Sequence, residues 1–397
     1  MWNKVNHLMR IVQVGPFPID RLLIRGGVEA SVYGLATEQA KISTVYVIDI
    51  PRLEAKDSIE NSDGLTVYRF HNPGTHQKDS IRRIKDIAEI VQGIKPDICH
   101  VHGTGVFSYA LFKELKSSIP IMLTVHGLLG VEKKKALKEH FSFKLLYQYI
   151  TQNRCERRLL STQRTVIVDT EYVAEAIKRY HLPRTPRMVI IPQGINDDFY
   201  SLECSSTSRT VLSVGSISKR KGHHLLIQAF SMAAEELKDI RLVICGVMAD
   251  RSYFQSLQSL SNSTHCGNRI VIKADLQKED ILDYYRNAHV FALHTQEESQ
   301  GIVFAEAMAA GLPIVSTRVG GVPFVVSDGE CGYLTDYGDV KGFAQALTRI
   351  FSVGKEWDAM SEKSKQISRK YSWSMIAEKI AAEYYNTINS VATSSFV

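Results

Sequence analysis

The sequence lacks the features that would place it in several special classes of protein. Its 397 residues include six cysteines, and no two of them have the C-x2-C spacing of a metal site. No apolar run approaches the roughly 18–20 residues that a membrane span needs, and the first residues do not show the pattern of a signal peptide. With 44% hydrophobic and 23% charged residues, the chain is not largely disordered. We therefore expect a soluble, cytoplasmic protein with reduced thiols and neither a structural zinc nor a disulfide framework.

The charge is unevenly distributed along the chain. Lysine and arginine outnumber aspartate and glutamate by 28 to 21 in residues 1–200, whereas the second half is nearly balanced at 20 to 21. A basic surface attracts anionic partners, so a membrane surface, an acidic glycan and nucleic acid all fit the first half. Nucleic acid is the least expected of the three, because no basic and aromatic platform or known nucleic-acid module is present.

Short apolar runs alternate with helix-like stretches along the chain, and the alternation restarts after the polar segment 203–208. Strands separated by helical stretches of roughly 10–15 residues indicate βαβ units and a parallel sheet. We therefore predict an α/β protein with two doubly wound Rossmann-like domains, residues 1–200 and 201–373. The two domains are expected to face an interdomain cleft, because such sheets bind ligands at the carboxyl ends of their strands. Residues 374–397 are expected to form a helix that crosses back to the N-terminal domain.

The segment from Glu298 to Pro313 carries the strongest chemical signal. It follows an apolar strand and has the pattern of a polar loop, then a short helix closed by Gly-Leu-Pro. Gly301 allows close approach of the backbone to a ligand, and the amides after it stand at a helix start, where anions bind. Glu306 falls about one turn into the helix, within reach of ligand hydroxyls. A surface carboxylate beside an ordinary helix start is the alternative.

Glu298 and Glu306 are separated by seven residues and followed by Ala-Met-Ala-x-Gly-x-Pro, which resembles the Glu-x7-Glu signature of the retaining glycosyltransferases of family 4. Other segments resemble motifs of that family in the same order along the chain: 26–29, 96–102, 124–127, 191–195, 214–222, 319–323 and 332–334. The resemblance covers nearly the whole chain. It implies the GT-B fold, in which the C-terminal domain holds most of the donor nucleotide.

The resemblance implies a hexosyltransferase-type retaining glycosyltransferase. Such an enzyme moves a sugar from a nucleotide-diphosphate-sugar donor to a hydroxyl of a glycan or lipid-linked acceptor, here in bacterial-type polysaccharide or glycolipid synthesis. The departing diphosphate gains negative charge, which preorganised cations and amides stabilise without a metal. We therefore expect no cofactor and no metal requirement. The donor base, the donor sugar, the acceptor and the oligomeric state stay open.

The resemblance also assigns roles to individual residues. Lys221 is the implied cation for the diphosphate, and Glu298 the implied partner of a donor-sugar hydroxyl. His126, at a strand end, is implied to contact the donor sugar through its ring or its backbone, which completes the set of expected catalytic residues. The expected donor-binding residues are Gly26, Gly27, Gly215, Ser216, Arg220, Gln300, Gly301, Ile302, Val303 and Glu306. Among these, Glu306 is implied to accept hydrogen bonds from the ribose.

Ser216 departs from the family pattern, which usually has an arginine there as part of an Arg/Lys clamp. Either Arg220 or Lys219 is expected to reach the phosphates instead, with Arg220 preferred, or the clamp is weaker. His100 and His102 lie two residues apart and so share one face of a strand. A metal pair is one interpretation, but the sequence shows no third ligand, so we predict that these histidines pack in the interior or line the cleft and form no metal site.

The segment 132–158 is expected to form an amphipathic helix. It contains eight cations and three anions, interleaved with aromatic and aliphatic residues. Such a helix suits an anionic membrane, so one prediction is peripheral contact with the inner face of a membrane. The alternative is a solvated helix whose apolar side packs on its own domain.

Other functions fit parts of the same sequence. One is a different GT-B enzyme, such as a nucleotide-sugar epimerase or a phosphorylase that uses pyridoxal. Another is a non-catalytic module that binds a nucleotide sugar. A two-carboxylate glycosidase is disfavoured, because eight residues of helix span about 12 Å, whereas a retaining glycosidase needs its carboxyls roughly 5–5.5 Å apart. A dehydrogenase is disfavoured because the first strand is not followed by G-x-G-x-x-G.

Overall fold

A computed structural model gives the architecture of the protein. It describes residues 8–20, 24, 26–52, 55–72, 81–115, 119–139, 141–204, 207–352 and 354–394. The chain divides into two compact units. The first comprises Met1–Ile19, Val28–Gln193 and Trp373–Val397, and the second comprises Asp20–Gly27 and Gly194–Ser372.

The first unit is built on a sheet with eight strands among the described residues. They are β1 (Arg10–Gly15), β2 (Thr44–Asp49), β3 (Ser58–Ser62), β4 (Leu65–Arg69), β5 (Ile98–His102), β6 (Ile121–Val125), β7 (Thr165–Val168) and β8 (Arg187–Ile190). Their order is β3-β4-β2-β1-β5-β6-β7-β8, and each neighbouring pair is parallel apart from β3 and β4. The sequence did not predict β3, because this mostly exposed edge strand has one apolar residue, Ile59.

Helices cover both faces of this sheet, as the doubly wound prediction requires. They are α1 (Gly27–Ala40), α2 (Ile84–Ile94), α3 (Val106–Glu114), α4 (Leu129–Glu139), α5 (Phe143–Thr162) and α6 (Glu171–Lys178). Apolar residues of α2, α3, α5 and α6 form the core on one face. Residues of α1 cover the other face.

The single helix predicted over 132–158 is wrong, because the segment belongs to two helices, α4 and α5. The break comes before Phe143, where Ser142 caps the new helix: its Oγ accepts a hydrogen bond from the Leu145 amide at 3.1 Å. A serine with extended backbone at this position satisfies an amide that has no partner within the helix.

The second unit is built on a sheet with six parallel strands among the described residues. They are β9 (Thr210–Val214), β10 (Arg241–Gly246), β11 (Ile270–Ala274), β12 (Val290–Leu293), β13 (Ile314–Thr317) and β14 (Gly332–Thr335). The order is β11-β10-β9-β12-β13-β14. Its helices are α7 (His223–Glu236), α8 (Arg251–Ser263), α9 (Lys278–Arg286), α10 (Ile302–Ala309), α11 (Val322–Val325), α12 (Val340–Ser352) and α13 (Gly354–Ser368). This strand order is that of a Rossmann sheet, with a change of direction between β9 and β12.

The boundary between the units lies at Gln193/Gly194 rather than at the predicted 200/201. The reason is packing, because Ile195, Phe199 and Leu202 belong to the apolar core of the second unit. Of the predicted linker 203–208, residues 205 and 206 lie outside the described residues.

The last helix, α14 (Trp373–Ser394), belongs to the first unit. It starts at Trp373, one residue before the predicted start, and residues 395–397 lie outside the described residues. Trp373 packs on Gly34 of α1, where an added Cβ would lie 2.2 Å from the indole ring. None of the described helices combines the length and the apolar character that a bilayer crossing requires.

Candidate functional site

The residues with the strongest chemical signal lie at the change of direction in the second sheet. The loop that contains Lys221 follows β9, and the loop that contains Glu298 follows the neighbouring strand β12. A backbone hydrogen bond from Gln296 to the Arg220 carbonyl, 2.8 Å long, joins the two loops. Ligands of Rossmann sheets bind at this point, beyond the carboxyl ends of the two strands.

Lys221 and Glu298 form an ion pair in this place. The Lys221 Nζ atom lies 2.5 Å from Glu298 Oε1, and both residues are buried. The Thr295 hydroxyl donates to the same carboxylate oxygen at 3.1 Å. A buried charge needs a partner, because desolvation strongly disfavours an isolated one. The residue predicted to bind the diphosphate is therefore paired with a carboxylate in this structure.

Glycine at position 222 allows the Lys221 loop to lie directly against the end of β12. Gly222 has a φ of 64°, and a Cβ there would lie 1.9 Å from the His294 carbonyl oxygen. On the other side of the loop, the Lys221 side chain passes Gly215, with its Cε 3.6 Å from where a Cβ would stand. A side chain at 222 would therefore separate the two loops that carry the ion pair.

Arg220 lies beside the Glu298 carboxylate. Its Nη1 atom donates to the Glu297 carbonyl at 2.7 Å and lies 3.8 Å from Glu298 Oε2. Lys219 is exposed and makes no ion pair within the described part of the chain. Ser216, which replaces the usual arginine, has its hydroxyl 3.4 Å from that of Ser218. This arrangement favours Arg220 over Lys219 as the second cation.

Helix α10 begins directly after Gly301, which has a φ of 78°. A Cβ at Gly301 would lie 2.6 Å from the Phe304 ring, so glycine is required for this tight helix start. Ile302 and Val303, in the first turn, are partly exposed, whereas Gln300 is fully buried.

Glu306 lies one turn further along α10 and is half-buried. Its Oε2 atom accepts a hydrogen bond of 3.2 Å from the Tyr285 hydroxyl. Burial raises the pKa of Glu306 to about 7, and the hydrogen bond from Tyr285 opposes that rise. The carboxylate therefore gains or loses its proton near neutral pH.

Sequence reasoning missed the residues that fix Glu298 in place. The Gly321 amide donates to the Glu298 carbonyl at 2.8 Å. Gly320 has a φ of 53°, and a Cβ there would lie 2.1 Å from the same oxygen. The adjacent glycines before Val322 and Pro323 were visible as a motif, but only the fold shows that they contact the Glu298 loop.

Gly26 and Gly27 are exposed at the start of α1. A Cβ added at Gly26 would meet no atom within 4 Å among the described residues, so no contact with them requires glycine there. Their expected role, close approach of the backbone to a ligand, stays a prediction.

His126 lies in the first unit, directly after β6. Its Nδ1 atom is 3.0 Å from Asp169 Oδ2, and its Nε2 atom is 3.0 Å from His102 Nδ1. Both ring nitrogens are thus engaged, and a ring nitrogen reaches a sugar hydroxyl only if one of these hydrogen bonds breaks. The backbone contact that the resemblance also implied needs no such change.

His100 and His102 stack on one another with ring centroids 4.2 Å apart. The described residues contain no group of three His, Cys, Asp or Glu side chains that could hold a metal ion. The expectation that the activity needs no metal stays a prediction.

The chain is similar to known glycosyltransferases in sequence. The family model for glycosyltransferase family 4 matches residues 25–199, and that for glycosyl transferases group 1 matches residues 195–367. A D-inositol 3-phosphate glycosyltransferase from Corynebacterium urealyticum is 26% identical over 247 residues. That match covers 58% of this chain and 58% of the relative, so the chain spans little more than half the length of this curated relative.

Solved structures show the same fold. Sucrose-phosphate synthase from Thermosynechococcus elongatus superposes with a TM-score of 0.81 at 20% identity, covering 96% of this chain and 100% of that one. The Anabaena protein HepE, solved with UDP-glucose, superposes with a TM-score of 0.74 at 17% identity, covering 95% of this chain and 100% of that one. Since the two family models together match residues 25–367 and both units have Rossmann-like sheets, the chain belongs to glycosyltransferase family 4 and has the GT-B fold.

Proposed function

We propose that this protein transfers a sugar, with retention of its anomeric configuration, from a nucleotide-diphosphate-sugar to a hydroxyl of a glycan or lipid-linked acceptor. The observation that carries the proposal is the buried Lys221–Glu298 pair at the change of direction of the second sheet. Glycosyl transfer is also the activity named for the relative from Corynebacterium urealyticum, a D-inositol 3-phosphate glycosyltransferase.

The chemistry of the step assigns the charges at this site. As the bond between the sugar and the diphosphate breaks, negative charge develops on the diphosphate. In the proposed reaction Lys221 and Arg220 stabilise that charge, which preorganised cations do most effectively in a site that excludes water. Glu298, released from Lys221, accepts a hydrogen bond from a sugar hydroxyl, and Glu306 accepts one from the ribose. Because the cations come from side chains, we propose turnover without a metal.

A ligand screen followed by a turnover assay tests the proposal. Thermal unfolding is measured with UDP-, GDP- and ADP-sugars, starting from UDP-glucose, because a ligand that binds the folded state raises its stability as ln(1 + [L]/Kd). The donor that binds is then incubated with a panel of sugar, inositol phosphate and lipid-linked acceptors, and NMR identifies the anomeric configuration of the product. Transfer with retention is expected, at a rate that a metal chelator leaves unchanged.

Three outcomes would contradict this proposal. Conversion of the donor without any acceptor would indicate an epimerase. Specific donor binding without a product on any acceptor would indicate a binding module. Loss of turnover with the chelator, restored by Mg²⁺, would contradict the metal-independent mechanism alone.

A second part of the proposal is peripheral contact with an anionic membrane through 132–158. The favouring observation is a group of exposed aromatic rings where α4 gives way to α5: Phe141, Phe143 and Tyr147 are 67%, 81% and 71% exposed. Lysines 133–135 and 138 precede them in sequence, Lys144 lies between Phe143 and Tyr147, and Arg154 is the next cation after Tyr147. Apolar rings beside cations suit the interface of an anionic bilayer.

Vesicle binding tests this contact. The parent protein is expected to sediment with phosphatidylglycerol vesicles at low salt and much less with phosphatidylcholine vesicles. Replacing Phe141, Phe143 and Tyr147 by serine should abolish binding, while Ile59→Ser, at another exposed apolar residue, should not. Equal sedimentation of the triple variant and the parent would overturn the contact.

A further inference from the structure

A continuous series of polar side chains crosses the interior of the first unit. All of its members are buried: Gln13, Gln39, His100, His102, Thr124, His126, Asp169, Gln193 and Tyr384. Buried polar groups are normally hydrogen-bonded, and the direction of each bond depends on which atom carries the proton. The series therefore determines the protonation of its members.

The series begins at the hydroxyl of Tyr384, on α14. This oxygen accepts hydrogen bonds from Gln13 Nε2 at 3.0 Å and Gln39 Nε2 at 3.2 Å. It lies 2.6 Å from His100 Nδ1, and His100 Nε2 lies 2.7 Å from the Thr124 hydroxyl. A hydroxyl has one proton and two lone pairs. Since both lone pairs are used, the Tyr384 proton goes to His100, whose other nitrogen donates to Thr124.

Gln13 determines which ring nitrogen of His102 carries the proton. The Gln13 amide nitrogen uses its protons on Gln39 Oε1, at 2.7 Å, and on Tyr384. Its oxygen therefore faces His102 Nε2, 2.8 Å away, and accepts that proton. Burial, together with the neighbouring imidazoles, lowers the pKa of His102 well below its usual value, so His102 is neutral. Its Nδ1 atom is then an acceptor, and the His126 Nε2 atom, 3.0 Å away, is the donor.

The other nitrogen of His126 also carries a proton. It lies 3.0 Å from Asp169 Oδ2, and the same oxygen accepts a hydrogen bond of 2.6 Å from Gln193 Nε2. An oxygen that receives two N–H groups acts as an acceptor, as expected for a carboxylate. Within the described ranges, no lysine or arginine forms an ion pair with Asp169, whose ion-pair partner is His126.

Exchanging the donor and acceptor roles along the series is electrostatically unfavourable. If both glutamine amides turned over, His102 would donate to His126, and His126 would be neutral. Asp169 would then be a buried carboxylate without a cation, which is costly unless the carboxyl takes up a proton. The hydrogen bonds and the charge therefore agree on one arrangement.

We propose that Gln13 and Tyr384 are positioning residues that hold His126 as a doubly protonated imidazolium paired with Asp169. The consequence for catalysis rests on the proposed glycosyl transfer. His126 stands at the carboxyl end of β6, the edge where Rossmann-like sheets bind ligands. With both nitrogens engaged, its side chain contributes a fixed positive charge rather than a nitrogen hydrogen bond to the substrate.

Nitrogen NMR of the full chain with ¹⁵N-labelled histidine tests the proposal without any ligand. The His126 signals are identified by their absence in His126→Asn. In the parent protein at pH 7, both His126 ring nitrogens are expected at shifts typical of N–H. A parent spectrum with one unprotonated His126 nitrogen would overturn the proposal.

A pair of glutamine variants tests the role of Gln13. Gln13→Met removes the acceptor that fixes the His102 tautomer, so His102 can donate to His126, and one His126 nitrogen is expected to lose its proton. Gln152→Met is the matched control, because this glutamine is also buried in the first unit but donates to the Thr104 carbonyl and takes no part in the series, so both His126 nitrogens should stay protonated. A folded Gln13→Met protein with both nitrogens still protonated would contradict the positioning role. If that variant does not fold, Tyr384→Phe tests the same series, because it frees the Gln13 amide to turn.

The pH profile of sugar transfer tests the catalytic consequence separately. The titratable groups that face His126 among the described residues are Asp169 and His102, with His100 behind the latter. Gln13→Met is expected to move the alkaline limb of kcat/KM to lower pH. An unmoved limb together with the expected NMR change would overturn the catalytic role of the charge. Absence of transfer in the parent would instead contradict the proposed function and leave the NMR result standing.

Discussion

The two units use the same edge of a similar sheet in different ways. In the second unit, the residues after β9 and β12 form an ion pair, Lys221–Glu298, with the exposed Arg220 beside it. In the first unit, the residues after β6 and β7, His126 and Asp169, end a buried series of hydrogen bonds that reaches α14.

In the proposed function Lys221 changes its partner when the donor binds, whereas the hydrogen bonds of His126 are already formed and stay in place. In the proposed reaction a diphosphate replaces the Glu298 carboxylate at Lys221, since both are anions and the neighbouring Arg220 is open to solvent. By contrast, His126 has a partner at each ring nitrogen, and moving it would leave buried polar groups unpaired. The comparison predicts that changes in the second unit mainly affect donor binding and turnover, whereas changes in the first unit mainly affect structure and protonation.

The largest expected effect is that of removing the Lys221 ammonium. Lys221→Ala should lower turnover by about 10²–10³-fold, the usual loss when a preorganised group that stabilises developing charge is removed. The measurement is the rate of nucleoside diphosphate release at saturating acceptor. Lys219→Ala removes an exposed neighbouring cation and should change the rate by less than about threefold. Equal rates in Lys221→Ala and the parent would show that the buried ion pair is merely structural.

The next largest effect is that of adding a side chain at Gly320, which lies against the Glu298 carbonyl oxygen. Both Gly320 and Gly329 have positive φ, 53° and 80°, so alanine at either adds backbone strain of about 1–2 kcal/mol. At Gly320 the new Cβ would also lie 2.1 Å from the Glu298 carbonyl oxygen, whereas at Gly329 it would meet no atom within 4 Å in the described part of the chain. Gly320→Ala should therefore lower the thermal midpoint further than Gly329→Ala and also weaken donor binding. Equal donor affinity in the two variants would mean that the position of Glu298 does not matter for the donor.

Much of the fold was predictable because its strands are buried and apolar. The segments containing β1, β9 and β12 follow from apolar runs alone, and the doubly wound arrangement follows from their spacing. The edge strand β3 was missed because Ser58–Ser62 has neither an apolar run nor an alternating pattern. The break between α4 and α5 was missed because a single capping serine, Ser142, carries little weight in a long charged segment.

The candidate site was predictable in its residues but not in its contacts. Lys221 and Glu298 were both named from the sequence, yet no local pattern shows that residues 77 positions apart form an ion pair. Tyr285 lies in another helix, α9, and its bond to Glu306 exists only in the folded chain. Likewise, the His126 series joins β1, β5 and β6 to α14, which is a property of the tertiary structure.

Removing the Tyr384 hydroxyl should destabilise the first unit. Tyr384→Phe leaves two buried amide donors and His100 without their partner, at a cost of about 1–3 kcal/mol. Tyr385→Phe is the matched control, at a partly exposed neighbour on the same helix. Hydrogen exchange in α14 is the measurement, and faster exchange is expected in Tyr384→Phe alone. Unchanged exchange would show that the polar series does not stabilise the packing of this helix.

The smallest expected effect is a pH dependence of donor binding that originates at Glu306. Burial raises the pKa of this carboxyl to about 7, so it is largely protonated at pH 6 and largely ionised at pH 8. The ionised carboxylate accepts stronger hydrogen bonds from the ribose hydroxyls than the neutral acid does, so lowering the pH below 7 should weaken nucleoside diphosphate binding by up to about tenfold per unit.

The pH dependence of folding stability that originates at Glu306 has the opposite sign to that of donor binding. The folded state holds the Glu306 proton between the ordinary pKa of 4.5 and the raised value near 7, so the free protein loses this contribution to stability as the pH rises through that window. Calorimetry at pH 6, 7 and 8 on the parent and on Glu306→Gln isolates the effect, because the titration of the diphosphate is common to both. The ratio of the two Kd values should change with pH. A constant ratio would mean that Glu306 does not bind the ribose as a carboxylate.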